Sequence, residues 1–386
     1  MKIALYQPWI YLHGGLEKSL LELVTRSEHE WIVYTGYYDP ENTFKEFANV
    51  DVRVLNQTTV KRTIGGTLKS AFQVSKQKIP TENIDIVAVW CDGIGDLITF
   101  RNHKLPLLNI CSTPLRAAFD PVYEQLALKG RGILYKVAYK TFKYLFTAVD
   151  RLAWSYYDGV ITTSSEVKNR IIKGNLCTDE AAMTMAYPGI EWKEDVSNVT
   201  YQPFILLPGR IMWTKNIQQG IKAFVKAGLP SPWKLVVAGF LDAKSHSYLQ
   251  DMRDLVPEGV EVEFVISPSS QQLNSLYSTA SFCLFTPLNE DWGIVPLESM
   301  GFAKPVIANA SGGPLESVVH GQTGFLHAPE DIDSWANSMR ALALNPTLCK
   351  TMGQQAHQHV KQFTWQTFVS KVDQAIKHLA NAKARD

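Results

Sequence analysis

The sequence predicts an α/β protein of two domains, each built on an open, mostly parallel sheet. Three observations carry that expectation. A chain of 386 residues is too long for one small domain and suits two of roughly 150–200 residues. Short apolar runs rich in β-branched residues alternate with longer helical patterns, as βαβ units require. The alternation stops once, over the polar, aperiodic stretch 191–203, and then restarts.

In the first half the strand candidates are KIALYQ, EWIVYTG, IDIVAVW, LPLLNIC and DGVITTS. They are nearly continuous in apolar residues, as strands covered on both faces are. In the second half they are FILLPG, KLVVAG, VEVEFVI, SFCLFT and KPVIA, the first followed by the helical pattern NIQQGIKAFVKAG. From Trp365 the chain reads as a plain amphipathic helix. The expected boundaries are therefore 1–193, 204–364 and 365–386. Two such sheets place ligand at strand carboxyl ends, in a cleft between domains.

Composition narrows the function. Hydrophobic residues at 46% and charged residues at 19% exclude disordered, collagen-like and coiled-coil chains. Lys and Arg number 38 against 37 Asp and Glu, so charge gives no general reason to expect nucleic acid. Five scattered cysteines lack a C-x-x-C pair or a zinc-like His spacing, which suits a reducing compartment. The opening MKIALYQPWI is interrupted by Pro8 and soon meets Glu17 and Lys18, so it reads as a strand and not as a signal peptide. No run reaches the ~20 apolar residues a membrane span needs. A cytoplasmic protein is expected, or one peripheral on the inner face of a membrane.

The densest chemistry lies in residues 285–326. The tetrapeptide PLES occurs twice there, with Pro296 and Pro314 where a first helical position is expected, and Ser311-Gly312-Gly313 precedes the second copy. Glycines before a helix let backbone amides approach a phosphate; the plainer alternatives are a capping Glu and an ordinary turn. Arg210 and Lys215 follow the strand ending LLPG, five residues apart, as a fork and a point charge able to clamp a diphosphate or as a solvated loop pair. Gly14-Gly15 opens a helix after the first strand, another phosphate-suited N-terminus or a tight turn. Asp92 follows IDIVAV and is placed to orient an acceptor hydroxyl or to form a turn, and His13 adjoins Gly14. Residues 129–154 carry six cations against Asp150 alone, interleaved with aromatics. Such a helix lies on an anionic membrane surface, or packs its apolar face on the domain and leaves its lysines in water.

The series PGR-x4-KN, VVAG, Glu290-x7-Glu298 within NEDWGIVPLESMGFAKPVIA, and SGGPLESVVHGQTGFL resembles the donor-binding half of retaining GT-B glycosyltransferases of family 4. The resemblance implies two Rossmann-like domains facing across a cleft, with the C-terminal helix crossing back to the first. It implies that Arg210 and Lys215, beside Gly209, hold the diphosphate of a nucleotide-sugar donor, and that Glu298 binds the ribose. Glu290 would face the transferred sugar, within a loop continued by Asp291, Trp292, Gly293, Ile294 and Val295 and flanked by Gly312 and Gly313. Ile266 would meet the base, and Gly14 and Gly15 would lie under the phosphates. The segment NICSTPLRAAFD resembles the HTP-x-R-x-x-W-D segment of mannosyltransferases that build O-antigens and related polysaccharides. Arg116 and Asp120 match it, Phe119 replaces Trp, and Ser112 stands in place of His. The acceptor side would comprise His13, Asp92, Ser112, Arg116 and Asp120.

The resemblance thus implies GDP-mannose as donor, a glycan or lipid-linked saccharide as acceptor, and retention of configuration. No D-x-D pair stands out to hold a metal, so no metal or other cofactor is expected. Two other classes fit the same motifs: a nucleotide-sugar epimerase, which needs no acceptor, and a donor-binding subunit without turnover. A dinucleotide oxidoreductase does not, because no G-x-G-x-x-G follows the first strand.

Overall fold

A computed structural model of the chain describes residues 1–60, 64–90, 93–196 and 199–383. Asp92 lies outside the described residues. The chain divides into two compact units, Met1–Gly189 with Trp365–Asp386, and Ile190–Thr364.

The first unit holds a seven-stranded sheet: β1 (Lys2–Ile10), β2 (Glu30–Tyr38), β3 (Val52–Val54), β4 (Ile86–Val89), β5 (Leu107–Cys111), β6 (Gly159–Thr162) and β7 (Met183–Met185). Their order is β3-β2-β1-β4-β5-β6-β7, and every pairing is parallel. Its helices are α1 (Gly15–Arg26), α2 (Ile64–Lys76), α3 (Arg116–Phe119), α4 (Pro121–Leu128), α5 (Ile133–Trp154) and α6 (Ser165–Lys173). The second unit holds β8 (Phe204–Pro208), β9 (Lys234–Gly239), β10 (Val262–Ile266), β11 (Phe282–Phe285), β12 (Val306–Asn309) and β13 (Gly324–His327), in the order β10-β9-β8-β11-β12-β13 and again all parallel. Its helices are α7 (Ile217–Ala227), α8 (His246–Asp254), α9 (Ser270–Thr279), α10 (Ile294–Gly301), α11 (Pro314–Ser317), α12 (Ile332–Leu344) and α13 (Pro346–Val360).

The central strands form because their side chains are buried on both faces. All five residues of β8 are buried, and Ile205 and Leu207 join Ile221 and Phe224 of α7 and Trp335 and Met339 of α12 in one core. Three strands escape the sequence pattern: β3, β7 and β13. Each is an outermost strand of three or four residues and only partly buried, so it needs no apolar run.

The last helix, α14 (Trp365–Lys383), packs in the first unit. Phe368 sits against Trp90 with ring centroids 6.0 Å apart, and Asp373 accepts a hydrogen bond from the Ser27 hydroxyl at 2.6 Å. The polar stretch 191–203 is tied to the second unit in part. The His357 imidazole donates to the Lys193 carbonyl (2.7 Å). The buried Lys304 ammonium donates to the Thr200 carbonyl and lies 4.0 Å from the Tyr201 ring centroid. One sequence expectation is corrected here. α10 begins at Ile294, so Pro296 is its third residue and not its first; Gly293, at φ +80°, is the capping residue.

One buried group opposes folding. Asp150, on the inner face of α5, is fully buried, and neither carboxyl oxygen has a hydrogen-bond partner among the described residues. Burial, then the nearby Asp96 carboxyl, holds its pKa well above the usual carboxylate range. The folded state therefore keeps a proton that the unfolded chain releases. The stability this proton supports is fully present below the ordinary Asp pKa and is lost as pH rises toward the folded-state value. Asp150→Asn is expected to raise stability by about 1–3 kcal/mol at neutral pH. Urea unfolding across the pH range checks this: the gain should grow with pH and vanish in acid.

Candidate active site

In the second unit the sheet order turns about β8. The chain runs outward on one side through β9 and β10, then returns on the other side as β11. Crevices at such switch points, at strand carboxyl ends, hold ligands in open α/β sheets. Two motif segments meet there. Arg210–Lys215 follows β8, and the loop with Glu290 follows β11. The Lys215 ammonium lies 2.9 Å from both Glu290 carboxylate oxygens, and both side chains are about four-fifths covered (19% and 18% exposed). The Thr286 hydroxyl donates to the Lys215 carbonyl (2.7 Å), fastening one loop to the other. Beneath them Asn309 donates to the Thr286 carbonyl and bonds Gln219. Arg210, the second residue after β8, is exposed.

Glycine is required here by close backbone approach. A Cβ on Gly239, at the end of β9, would fall 1.8 Å from the Gly209 carbonyl oxygen, and Gly209 itself has φ +144°. A Cβ on Gly312 (φ +67°) or Gly313 would strike the carbonyl oxygens of Glu290 or Trp292, at 2.2 and 2.0 Å. The Gly313 amide donates to the Glu290 carbonyl at 2.9 Å. That amide is therefore engaged within the fold, and the two glycines serve first to seat this loop on the Glu290 loop.

Glu298, in α10, accepts a hydrogen bond from the buried Tyr277 hydroxyl of α9 at 2.7 Å. Burial pushes the Glu298 carboxyl up, and the Tyr277 bond offsets part of that shift. Burial and the neighbouring Glu298 hold the Tyr277 phenol well above its ordinary value, so it remains a donor. Tyr277 stacks on Phe302, rings nearly parallel at 5° and centroids 5.5 Å apart. Tyr277 in α9, Asn309 in β12 and Thr286 just after β11 escape sequence reading because each is an ordinary residue of its element or loop and acquires its role through tertiary contact.

The remaining expected residues divide. Asp291, Ile294 and Val295 are partly exposed along the same loop and helix, and Ile266 ends β10 at 37% exposure. Trp292 is buried edge-on against Phe363 at 5.4 Å between centroids, where its large apolar area is removed from water. In the first unit, Gly14 caps α1, and the buried Glu17 carboxylate reaches back so closely that a Gly14 Cβ would meet it at 2.5 Å. An anionic group thus already occupies part of that N-terminus, next to the exposed Gly15. His13 is exposed and lies edge-on to Phe44. Ser112 accepts from the Trp90 indole (2.7 Å). Asp120 is buried, caps α4, and pairs with Arg116 at 2.7 Å, so both have structural employment. Among the described residues no three His, Cys, Asp or Glu side chains are grouped to hold a metal ion.

Solved structures of the same architecture define the class. The chain superposes on a HepE crystal structure from Anabaena, in complex with UDP and glucose, with a TM-score of 0.73 at 18% identity, covering 99% of this chain and 100% of that one. A sucrose-phosphate synthase from Thermosynechococcus elongatus gives a TM-score of 0.74 at 18% identity, over 99% and 100% of the two chains. These likenesses establish the GT-B fold. Residues 190–359 match the family described as Glycosyl transferases group 1. The alpha-1,3/1,6-mannosyltransferase ALG2 of Dictyostelium discoideum is 36% identical over 98% of both chains. Its counterpart in Neurospora crassa is 25% identical over 97% of this chain and 91% of its own. The chain belongs to the group 1 glycosyltransferases, within the GT-B enzymes of family 4 that include the ALG2 mannosyltransferases.

Proposed function

We propose that the chain transfers mannose from GDP-mannose to a glycan or lipid-linked saccharide, retaining anomeric configuration and using no metal ion. The carrying observation is the Lys215–Glu290 pair at the β8/β11 switch point, with Arg210 exposed in the segment between β8 and Lys215. The ALG2 relatives support mannose as the sugar.

Transfer from a nucleotide sugar builds positive charge at the anomeric carbon and negative charge on the departing diphosphate. Arg210 forks two phosphate oxygens while Lys215 supplies a point charge. Glu290, already held by Lys215, orients the sugar hydroxyls and stabilises the cationic carbon. Lys215 and Glu290 hold each other before the reaction, so they cost little reorganisation when charge develops. The acceptor attacks on the face the diphosphate leaves, and a phosphate oxygen takes its proton. Glu298 accepts the ribose hydroxyls, and Tyr277 is a positioning residue that fixes the carboxylate.

Tyr277→Phe is therefore expected to weaken GDP binding about tenfold, as loss of one hydrogen bond to a charged group does, and Glu298→Ala to weaken it further. Calorimetry with GDP and UDP checks both. The proposal as a whole is tested by offering a panel of nucleotide sugars with and without lipid-linked saccharides. Acceptor-dependent release of GDP from GDP-mannose is expected. Interconversion of donor sugars without acceptor would instead identify an epimerase, and binding without turnover a donor-binding subunit.

A further inference from the structure

The first unit has a switch point of its own. Its chain runs outward from β1 through β2 to β3, then returns on the other side of β1 as β4 and continues to β5. Ligands are expected at the carboxyl ends of the strands around such a point. There the indole of Trp90, directly after β4, donates to the hydroxyl oxygen of Ser112, directly after β5, at 2.7 Å. That oxygen is thereby used as an acceptor, and the Ser112 hydroxyl proton has no acceptor among the described residues. Ser112 is half-buried, and its proton is left for an oxygen from outside the fold, such as a saccharide hydroxyl.

The residues after Ser112 are held by a side chain that belongs to none of the sequence motifs. Arg170, on α6, is 3% exposed. Its Nη1 donates to the Thr113 hydroxyl at 2.6 Å, and its Nη2 lies 3.1 Å from the Glu166 carboxylate and 3.7 Å from that of Asp120. Asp120 also receives the Arg116 guanidinium at 2.7 Å. Two cations and two carboxylates thus balance one another across α6, the β5 loop and the junction of α3 with α4. From the β6 side the Thr163 hydroxyl donates to the Ser112 carbonyl at 3.3 Å. Gly93, at φ +116°, lets the loop after β4 come so close that a Cβ there would fall 2.6 Å from the Leu115 Cβ. Buried ion pairs add little net stability over apolar packing of the same volume. A network whose members are all engaged does fix one conformation, and this one fixes the loop that carries Ser112.

We propose that Arg170 is a positioning residue for the acceptor: through Thr113 it fixes the β5 loop so that the Ser112 hydroxyl donates to a hydroxyl of the acceptor saccharide. This role rests on the transferase reading above. The test is steady-state transfer with the lipid-linked saccharide that supports GDP release in the panel above, each substrate varied in turn, with calorimetry of GDP beside it. Thr113→Val removes the hydroxyl that Arg170 holds, and Arg170→Lys keeps the charge but loses the fork. Each is expected to raise the acceptor KM about tenfold, as loss of one hydrogen bond to a charged group does, and to leave the donor KM and the GDP affinity at parental values. Thr113→Ser should restore the acceptor KM. Ser112→Ala should raise it as Thr113→Val does, and the double variant should cost little more than either, because both act through one hydroxyl. A purely structural role would instead lower kcat with the fraction of folded enzyme and leave the acceptor KM alone. Should Arg170→Lys fail to fold, Thr113→Val alone decides. The proposal is overturned if Thr113→Val keeps the parental acceptor KM in an active enzyme, if donor and acceptor KM rise together, or if the losses of Thr113→Val and Ser112→Ala multiply. A parent without acceptor-dependent turnover would sink the transferase reading and this role with it, whereas an active parent whose variants keep the acceptor KM removes this role alone.

Discussion

Arg210→Ala is expected to lower turnover of the nucleotide-sugar donor by ~10²-fold or more, the usual cost of removing one preorganised donor from a developing anion. Arg210 and Lys215 are the two cations following β8, but they differ in state. Lys215 is already bound to Glu290 through both carboxylate oxygens, whereas Arg210 is exposed. Its guanidinium is thus the cation whose interaction with phosphate changes most as charge moves onto the leaving group. The loss should fall mainly on kcat, with a smaller change in KM. Arg210→Lys should restore only part of the rate, because a point charge cannot fork two oxygens. Steady-state assay of nucleoside diphosphate release reads both parameters. An Arg210→Ala enzyme working at the parental rate would remove the diphosphate clamp from the account.

Lys215→Met and Glu290→Gln are each expected to cost ~10²-fold in turnover, and the double variant should cost far less than the product of the two. The reason is geometric. With four-fifths of each side chain covered, removing the lysine strips the half-buried carboxylate of a cation held 2.9 Å from both its oxygens, and removing the carboxylate takes from the ammonium the contact that positions it. Residues coupled in this way typically show interaction energies of about 0.5–3 kcal/mol in a double-mutant cycle. Strictly multiplicative losses would mean the two act independently, and that the pair seen at the β8/β11 switch point has no part in positioning either group.

The inner strands were legible in the sequence because burial on both faces forces apolar runs, as in LLNIC of β5 and FILLP of β8. The edge strands β3, β7 and β13 left no such imprint. Candidate-site positions were legible where backbone geometry demands a residue type. Gly312 and Gly313 stand in motif positions because no larger residue fits against the Glu290 loop. Sequence could not show that the Gly313 amide is used internally, nor that Trp292 turns inward onto Phe363, since both follow from how distant loops meet. Tyr277 was invisible for the same reason: its partner Glu298 lies in another helix. In 129–154 the cations and aromatics were plain, but the burial of Tyr139, Phe146 and Trp154 on the inner face of α5 emerged only from packing.

The central claim is that a nucleoside diphosphate is gripped at the carboxyl ends of β8 and β11 by Arg210 and Lys215. A crystal structure of the chain soaked with GDP in the presence of EDTA tests it most directly. Phosphate oxygens within hydrogen-bond distance of the Arg210 guanidinium and the Lys215 ammonium are predicted, with the ribose on Glu298. GDP bound with its phosphates away from both side chains, or bound only when a divalent ion is restored, would contradict it.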